Sequence, residues 1–199
     1  MTTTILLIRH AEHVEFGRML SGRRRDVALT SEGIEQARIL ADLIGVVPIQ
    51  AVYSSPRERA WYTAREIAEP HELKPVIDND LDEIDFGDWT GRSFAALESD
   101  PEWRAWNSQR GSARVPGGET MGEATARAEE AIAAIARNHP DATVAIVSHC
   151  DIIRGVIAHH LGLGLDNLLR FDVDPASVSR IAIGPDWSRV LTVNERLYQ

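Results

Sequence analysis

The chain has 199 residues and a formal net charge of −9, with 44% hydrophobic and 26% charged residues. That balance excludes disordered and collagen-like classes and predicts one domain with its own core. The acidic excess argues against general binding to nucleic acid or to an anionic membrane, but not against a small anion, because distant carboxylates are screened beyond ~8 Å. The lone Cys150 excludes an intramolecular disulfide framework and suits a reducing compartment. No basic region precedes the first apolar run, and no stretch approaches the ~20 apolar residues of a membrane span, so a cytoplasmic protein is expected.

Ile5 to Ile8 is a short apolar run ending in Arg9-His10, the pattern of a strand buried on both faces. Glu12 to Asp26 reads as a loop carrying Arg18, Arg23, Arg24 and Arg25. Thr30 is expected to cap a helix through about Ile44, with Gly45 as its stop. Ile49 to Tyr53 is the next strand, running into Ser54-Ser55-Pro56-Arg57-Glu58-Arg59. Ser55 with Glu58 reads as a capping box, with Pro56 at the first helical position, Arg57 on an exposed helical face, and the helix ending near Glu69. A short strand at Pro75 to Ile77 leads into an acidic segment, Asp78 to Asp88, that contains Glu83.

Residues 81–118 read as an irregular insertion over one end of the sheet, with short helices at Phe94 to Leu97 and Pro101 to Asn107. Trp89, Trp103 and Trp106 there are expected to be core. Thr120 and Glu123 box the next helix, Thr143 to Ser148 is a buried strand before His149, and a helix runs from there to Leu161 with Gly162 as its stop. Ser177 to Ile183 and Arg189 to Val193 pair as a hairpin. The alternation predicts a three-layer α/β/α sandwich with a mostly parallel central sheet and helices on both faces.

Three strands therefore end in polar groups: Arg9-His10, the Ser54 to Arg59 turn, and His149. Right-handed crossovers bring those ends to one edge, the usual ligand crevice of open α/β sheets. Two histidines among arginines suit a phosphate ester, with a neutral imidazole kept so by its cationic neighbours and able to attack phosphorus. Glu83 is the candidate proton donor, its carboxyl raised by the like charge of a bound phosphate. His10, Glu12 and His13 fall one residue short of the H-x-x-E-H zinc pattern and follow a strand, so no metal site and no cofactor are expected. Cys150 beside His149 is expected to be a small buried thiol, and His71, His139, His159 and His160 form no visible constellation.

The ordered motifs Leu7-Ile8-Arg9-His10-Ala11-Glu12, Leu29-Thr30-x-x-Gly33-x-x-Gln36-Ala37 and Ser54-Ser55-Pro56-x-x-Arg59-Ala60-x-x-Thr63-Ala64 resemble the histidine phosphatase superfamily, the phosphoglycerate mutase-like clan. Glu83-x-x-Phe86-Gly87-x-Trp89-x-Gly91, Pro116-Gly117-Gly118-Glu119 and Val147-Ser148-His149 continue the match. The resemblance implies a phosphatase that forms a phosphohistidine at His10, with Arg9, Arg59 and His149 on the phosphoryl group, Glu83 as proton donor and no metal. A bisphosphoglycerate-dependent mutase is the alternative within the clan, disfavoured because classical mutases are longer, and a non-catalytic phosphoryl-binding regulator is a third reading. Family habit also implies a homodimer.

Four departures stand out from the pattern the resemblance implies. Ala11 replaces the usual Gly, His13 a Ser or Thr, Phe16 a frequent Asn, and Cys150-Asp151 a Gly-Gly pair. Asp151 is expected to cap the helix that starts there, with its side chain turned from the anion. Arg23 and His13 are the remaining candidates for contacting substrate, each weighed against a solvated loop position.

Overall fold

The structure is a computed structural model that describes residues 1–197. Its strands are β1 (Thr3–Arg9), β2 (Ile49–Ser54), β3 (Val76–Ile77), β4 (Thr143–Ser148), β5 (Val178–Ile183) and β6 (Ser188–Glu195). Its helices are α1 (Ser31–Ile44), α2 (Glu58–Ala68), α3 (Phe94–Glu98), α4 (Pro101–Ser108), α5 (Met121–Asn138) and α6 (Cys150–Leu161). The sheet order is β3-β2-β4-β1-β5-β6, parallel from β3 to β1 and antiparallel across β5 and β6. This is the mostly parallel sandwich expected.

Alternation along the central strands builds both faces. Ile5 and Leu7 of β1, with Val144 and Ile146 of β4, pack beneath α5 and α6. Leu6 and Ile8, with Ala145 and Val147, face the apolar stripes of α1 and α2. The first of these cores extends into the 81–118 segment through Trp89, Leu97 and Trp106, all buried. Trp103 packs against Trp89 and Trp106, so the three indoles form one cluster, with Trp103 also reaching the cavity described below.

Helix capping agrees with the sequence at Thr30, whose hydroxyl accepts from Gly33 N, and at Thr120, where the full box with Glu123 forms. It fails at Ser55. α2 begins only at Glu58, its N-cap is Arg57, and no side chain caps it. Ser55 lies two residues before that cap, and its hydroxyl accepts from Arg57 N at 3.3 Å and lies 2.7 Å from His149 Nε2, so it reaches no N–H inside α2. Gly45 does end α1, but in the right-handed region at φ −59, so the stop needs no left-handed glycine. Gly162 is the left-handed C-cap of α6 at φ +64. Gly33 has a different reason: a Cβ there would lie 1.9 Å from the Glu12 carbonyl oxygen, so only glycine lets α1 approach the chain just beyond His10.

Candidate active site

Strand register assembles the site. Arg9 pairs with Ser148 and Val147 with Ser54, so β1, β4 and β2 end side by side. His10 N donates to Ser148 O at 3.0 Å and Ser55 N to Val147 O at 3.0 Å, which extends the ladder one residue past each strand. His10 and His149 then face each other with ring centroids 5.1 Å apart. The loop after His10 is braced by α1 and α2: Ala11 N donates to Thr63 Oγ1 and Glu12 N to Gln36 Oε1, each at 3.1 Å. These contacts give Gln36 and Thr63 of the motifs a structural role in holding the loop.

His10 Nδ1 lies 2.8 Å from the Ala11 carbonyl oxygen, an acceptor only, so Nδ1 carries the proton and the Nε2 lone pair is free. Arg59 Nε–H points at that lone pair from 3.3 Å. Arg59 is buried from the first turn of α2, donating through Nη2 to Gly22 O at 2.7 Å and to His149 Nδ1 at 3.3 Å. With Nδ1 accepting, His149 Nε2–H donates to Ser55 Oγ, and Ser55 in turn donates to Asp82 Oδ1 at 3.3 Å. Arg57 clamps that carboxylate through Nε at 2.8 Å and Nη2 at 2.5 Å. Arg57 is thus not an exposed helical residue, as its sequence position suggested; the attraction of Asp82 draws it inward.

Both histidines are held neutral, His10 and His149 well below the usual imidazole pKa. Burial is the largest cause and the Arg59 guanidinium the second, whereas the sequence reading credited the cations alone. His13 is buried too, its ring tilted against that of His10 with centroids 5.2 Å apart, and lowered to about 3 by burial, Arg59 and Arg9. It is no solvated loop residue.

Glu83 sits 3.9 Å from His149 Nδ1 and is raised to about 7. The causes are burial first and the Asp151 carboxylate second, so the carboxyl is tuned before any phosphate arrives. The segment carrying it is fixed by Glu119, whose carboxylate accepts from Asp85 N, Arg23 and Arg127.

A cavity of about 330 Å³ opens over these groups, within the usual range for small-molecule sites. Arg9, His10, His13, Arg59 and Glu83 line it, while His149 lies at its buried base against Glu83 and Arg59. Arg9 donates to Val173 O at 2.7 Å and lies over the Phe16 ring. Arg23 does not line the cavity; its guanidinium donates to Glu83 O at 2.7 Å and pairs with Glu119 at 2.9 Å, bracing the Glu83 segment from behind. Asp151 does not cap α6, whose N-cap is His149 without a side-chain bond. Its carboxylate lines the cavity and pairs with Arg110 at 2.7 Å, because that buried guanidinium needs a counterion.

Sequence reasoning missed Arg110, Arg154 and Ser55. Arg110 follows α4 in the irregular segment, where no periodicity signals which way a side chain points. Arg154 lies one helical turn from Asp151, a spacing that could have flagged it. Cys150 is partly buried near Val173 O, and burial raises its thiol pKa, as expected of an inert thiol. Among the described residues, no group of three His, Cys, Asp or Glu side chains is placed to hold a metal, and no helix is long and apolar enough to cross a membrane.

Comparison with known proteins places the chain in a family. The profile of the histidine phosphatase superfamily (branch 1) matches residues 5–196. Phosphoserine phosphatase 1 of Hydrogenobacter thermophilus is 31% identical over 96% of this chain and 91% of its own length. The adenosylcobalamin/alpha-ribazole phosphatase of Escherichia coli K12 is 31% identical over 96% of this chain and 95% of its own. A mycobacterial glucosyl-3-phosphoglycerate phosphatase superposes with a TM-score of 0.89 over 98% of this chain and 100% of that one, at 23% identity, a likeness of fold. The chain belongs to the histidine phosphatase superfamily.

Proposed function

We propose that this histidine phosphatase hydrolyses a small phosphomonoester through a phosphohistidine on His10. The observation that carries the reading is the His10 imidazole, neutral, with Nδ1–H fixed on the Ala11 carbonyl and its Nε2 lone pair directed at buried Arg59. Nε2 forms the bond to phosphorus as the ester P–O bond breaks. Arg9 and Arg59 hold the equatorial oxygens, with an arriving oxygen replacing His10 Nε2 as the acceptor for Arg59 Nε–H, and His149 joins them through Nδ1–H in its other tautomer, in which Ser55 Oγ–H donates to Nε2. Glu83, whose burial and whose Asp151 neighbour favour the protonated carboxyl, gives its proton to the leaving alcohol. As carboxylate it then takes a proton from the water that attacks the phosphohistidine, releasing phosphate and restoring both groups.

The relatives compared above are phosphatases by name, which does not favour the mutase alternative. The lone Cys150 supports placing the activity in a reducing cytoplasm. Phosphate release from p-nitrophenyl phosphate, together with an acid-labile phosphoenzyme trapped from the wild type and absent from His10→Ala, is the expected result. Unchanged turnover in His10→Ala would overturn the mechanism. The homodimer suggested by family habit is tested by light scattering.

A further inference from the structure

One part of the cavity wall has no role in this chemistry. Arg110, from the turn after α4, is 5% exposed, and Arg154 of α6 has a side chain 14% exposed. Both line the cavity, and Asp151 between them is their shared counterion, 2.7 Å from Arg110 Nη1 and 3.9 Å from Arg154 Nη1. Arg110 is further fixed by Asn107 Oδ1 at 2.8 Å and by the Trp106 ring, 4.0 Å below its guanidinium. Nε of each arginine is buried without a hydrogen-bond partner. Arg154 also meets Asp172 at 3.3 Å, but that carboxylate is 81% exposed and solvent-screened.

Charge then decides what the wall awaits. Four arginines line the cavity, and a phosphoryl dianion answers Arg9 and Arg59. Asp151 answers one of the other two. Glu83 has to carry a proton to act, so it answers none. The second cation then has only the exposed Asp172 carboxylate as partner, so on its buried side it is free to take up a further anion. The planar forks of two arginines suit a carboxylate. This also accounts for Asp151, the acidic residue unexpected so near an anion site: it holds two guanidiniums together.

We propose that Arg110 and Arg154, bridged by Asp151, bind a carboxylate on the alcohol part of the substrate, so that the preferred substrates are phosphomonoesters of small hydroxy acids. The inference rests on the phosphatase reading above and narrows it. The experiment compares kcat/KM within pairs that differ in the carboxylate: O-phosphoserine against O-phosphoethanolamine, and 3-phosphoglycerate against glycerol 3-phosphate. The wild type is expected to favour the carboxylate member of at least one pair by roughly 10- to 100-fold, the scale of one or two charge-assisted contacts. Arg154→Gln and Arg110→Gln are expected to bring that ratio towards one. If Arg110→Gln fails to fold, the wild-type ratios and Arg154→Gln decide the matter. Ratios near one in the wild type for both pairs, with p-nitrophenyl phosphate still hydrolysed, would overturn this inference alone, as would a ratio that survives in the folded variants. No phosphate from any ester, the aryl phosphate included, would remove the phosphatase reading and this inference with it.

Discussion

Replacing Glu83 by Gln should weaken catalysis and strengthen the fold at the same time. The carboxyl is buried, and its rise from 4.5 to about 7 corresponds to about 3 kcal/mol against the ionised form. A raised carboxyl pKa means the native state holds its proton where the unfolded chain has lost it. Stability therefore falls as pH rises from about 4.5 through about 7, and the full penalty is present at pH 8. Glutamine keeps the shape without the charge, so Glu83→Gln should be more stable than the wild type at pH 8, by up to about 3 kcal/mol, and nearly equal to it at pH 4.5. Catalysis moves the other way. Loss of the proton donor costs on the order of 10²–10⁴-fold in kcat, or about 3–5 kcal/mol in the barrier, for an alkyl ester. The loss should shrink for p-nitrophenyl phosphate, whose leaving group needs no proton. Urea melts at the two pH values and kcat for both esters make the assay. Equal losses on the two esters, or a variant less stable than the wild type at pH 8, would refute the reasoning.

Ser55 touches His149 and not the substrate, so Ser55→Ala is expected to lower kcat about tenfold with little change in KM, and Ser55→Thr to restore it; an effect confined to KM would argue against positioning. Gly33→Ala drives a methyl into the Glu12 carbonyl and should cost roughly 1–3 kcal/mol or more, read by urea melts, with kcat falling as the loop after His10 shifts. His10, His13 and His149 are all held neutral by burial and neighbouring arginines. Their folded pKa values lie below the unfolded value, so stability should decline as pH falls below about 6.5, and the triple substitution by Gln should flatten that decline in a pH series of thermal melts.

The fold was legible because its signals are local. Ile5 to Ile8 and Val144 to Val147 are uninterrupted apolar runs within their strands, and Thr30 and Thr120 cap as their sequences direct. The site was legible as far as strand ends place it, which covers Arg9, His10, Arg59 and His149. What stayed hidden depended on competition between partners distant in sequence. Ser55 could cap α2 or hold His149, and only the tertiary structure decides for His149. Arg23 and Arg57 sit among several carboxylates, and their direction follows from Glu119 and Asp82. Arg110 reaches the cavity from a stretch without period, so nothing in its neighbours announces it.

The strand order has a consequence for how the protein is made. β4, residues Thr143–Ser148, lies between β1 and β2, although it is synthesised long after both. Until it emerges, the two strands that carry His10 and the turn before Arg59 have no common neighbour, and their inner edges present unpaired backbone groups. A nascent chain shorter than about three-quarters of its length thus has neither a phosphate site nor a closed sheet, and it is most prone to aggregation in that interval. The two halves of the candidate site meet only where the strand ending at Ser148 fills the gap and brings His149 opposite His10.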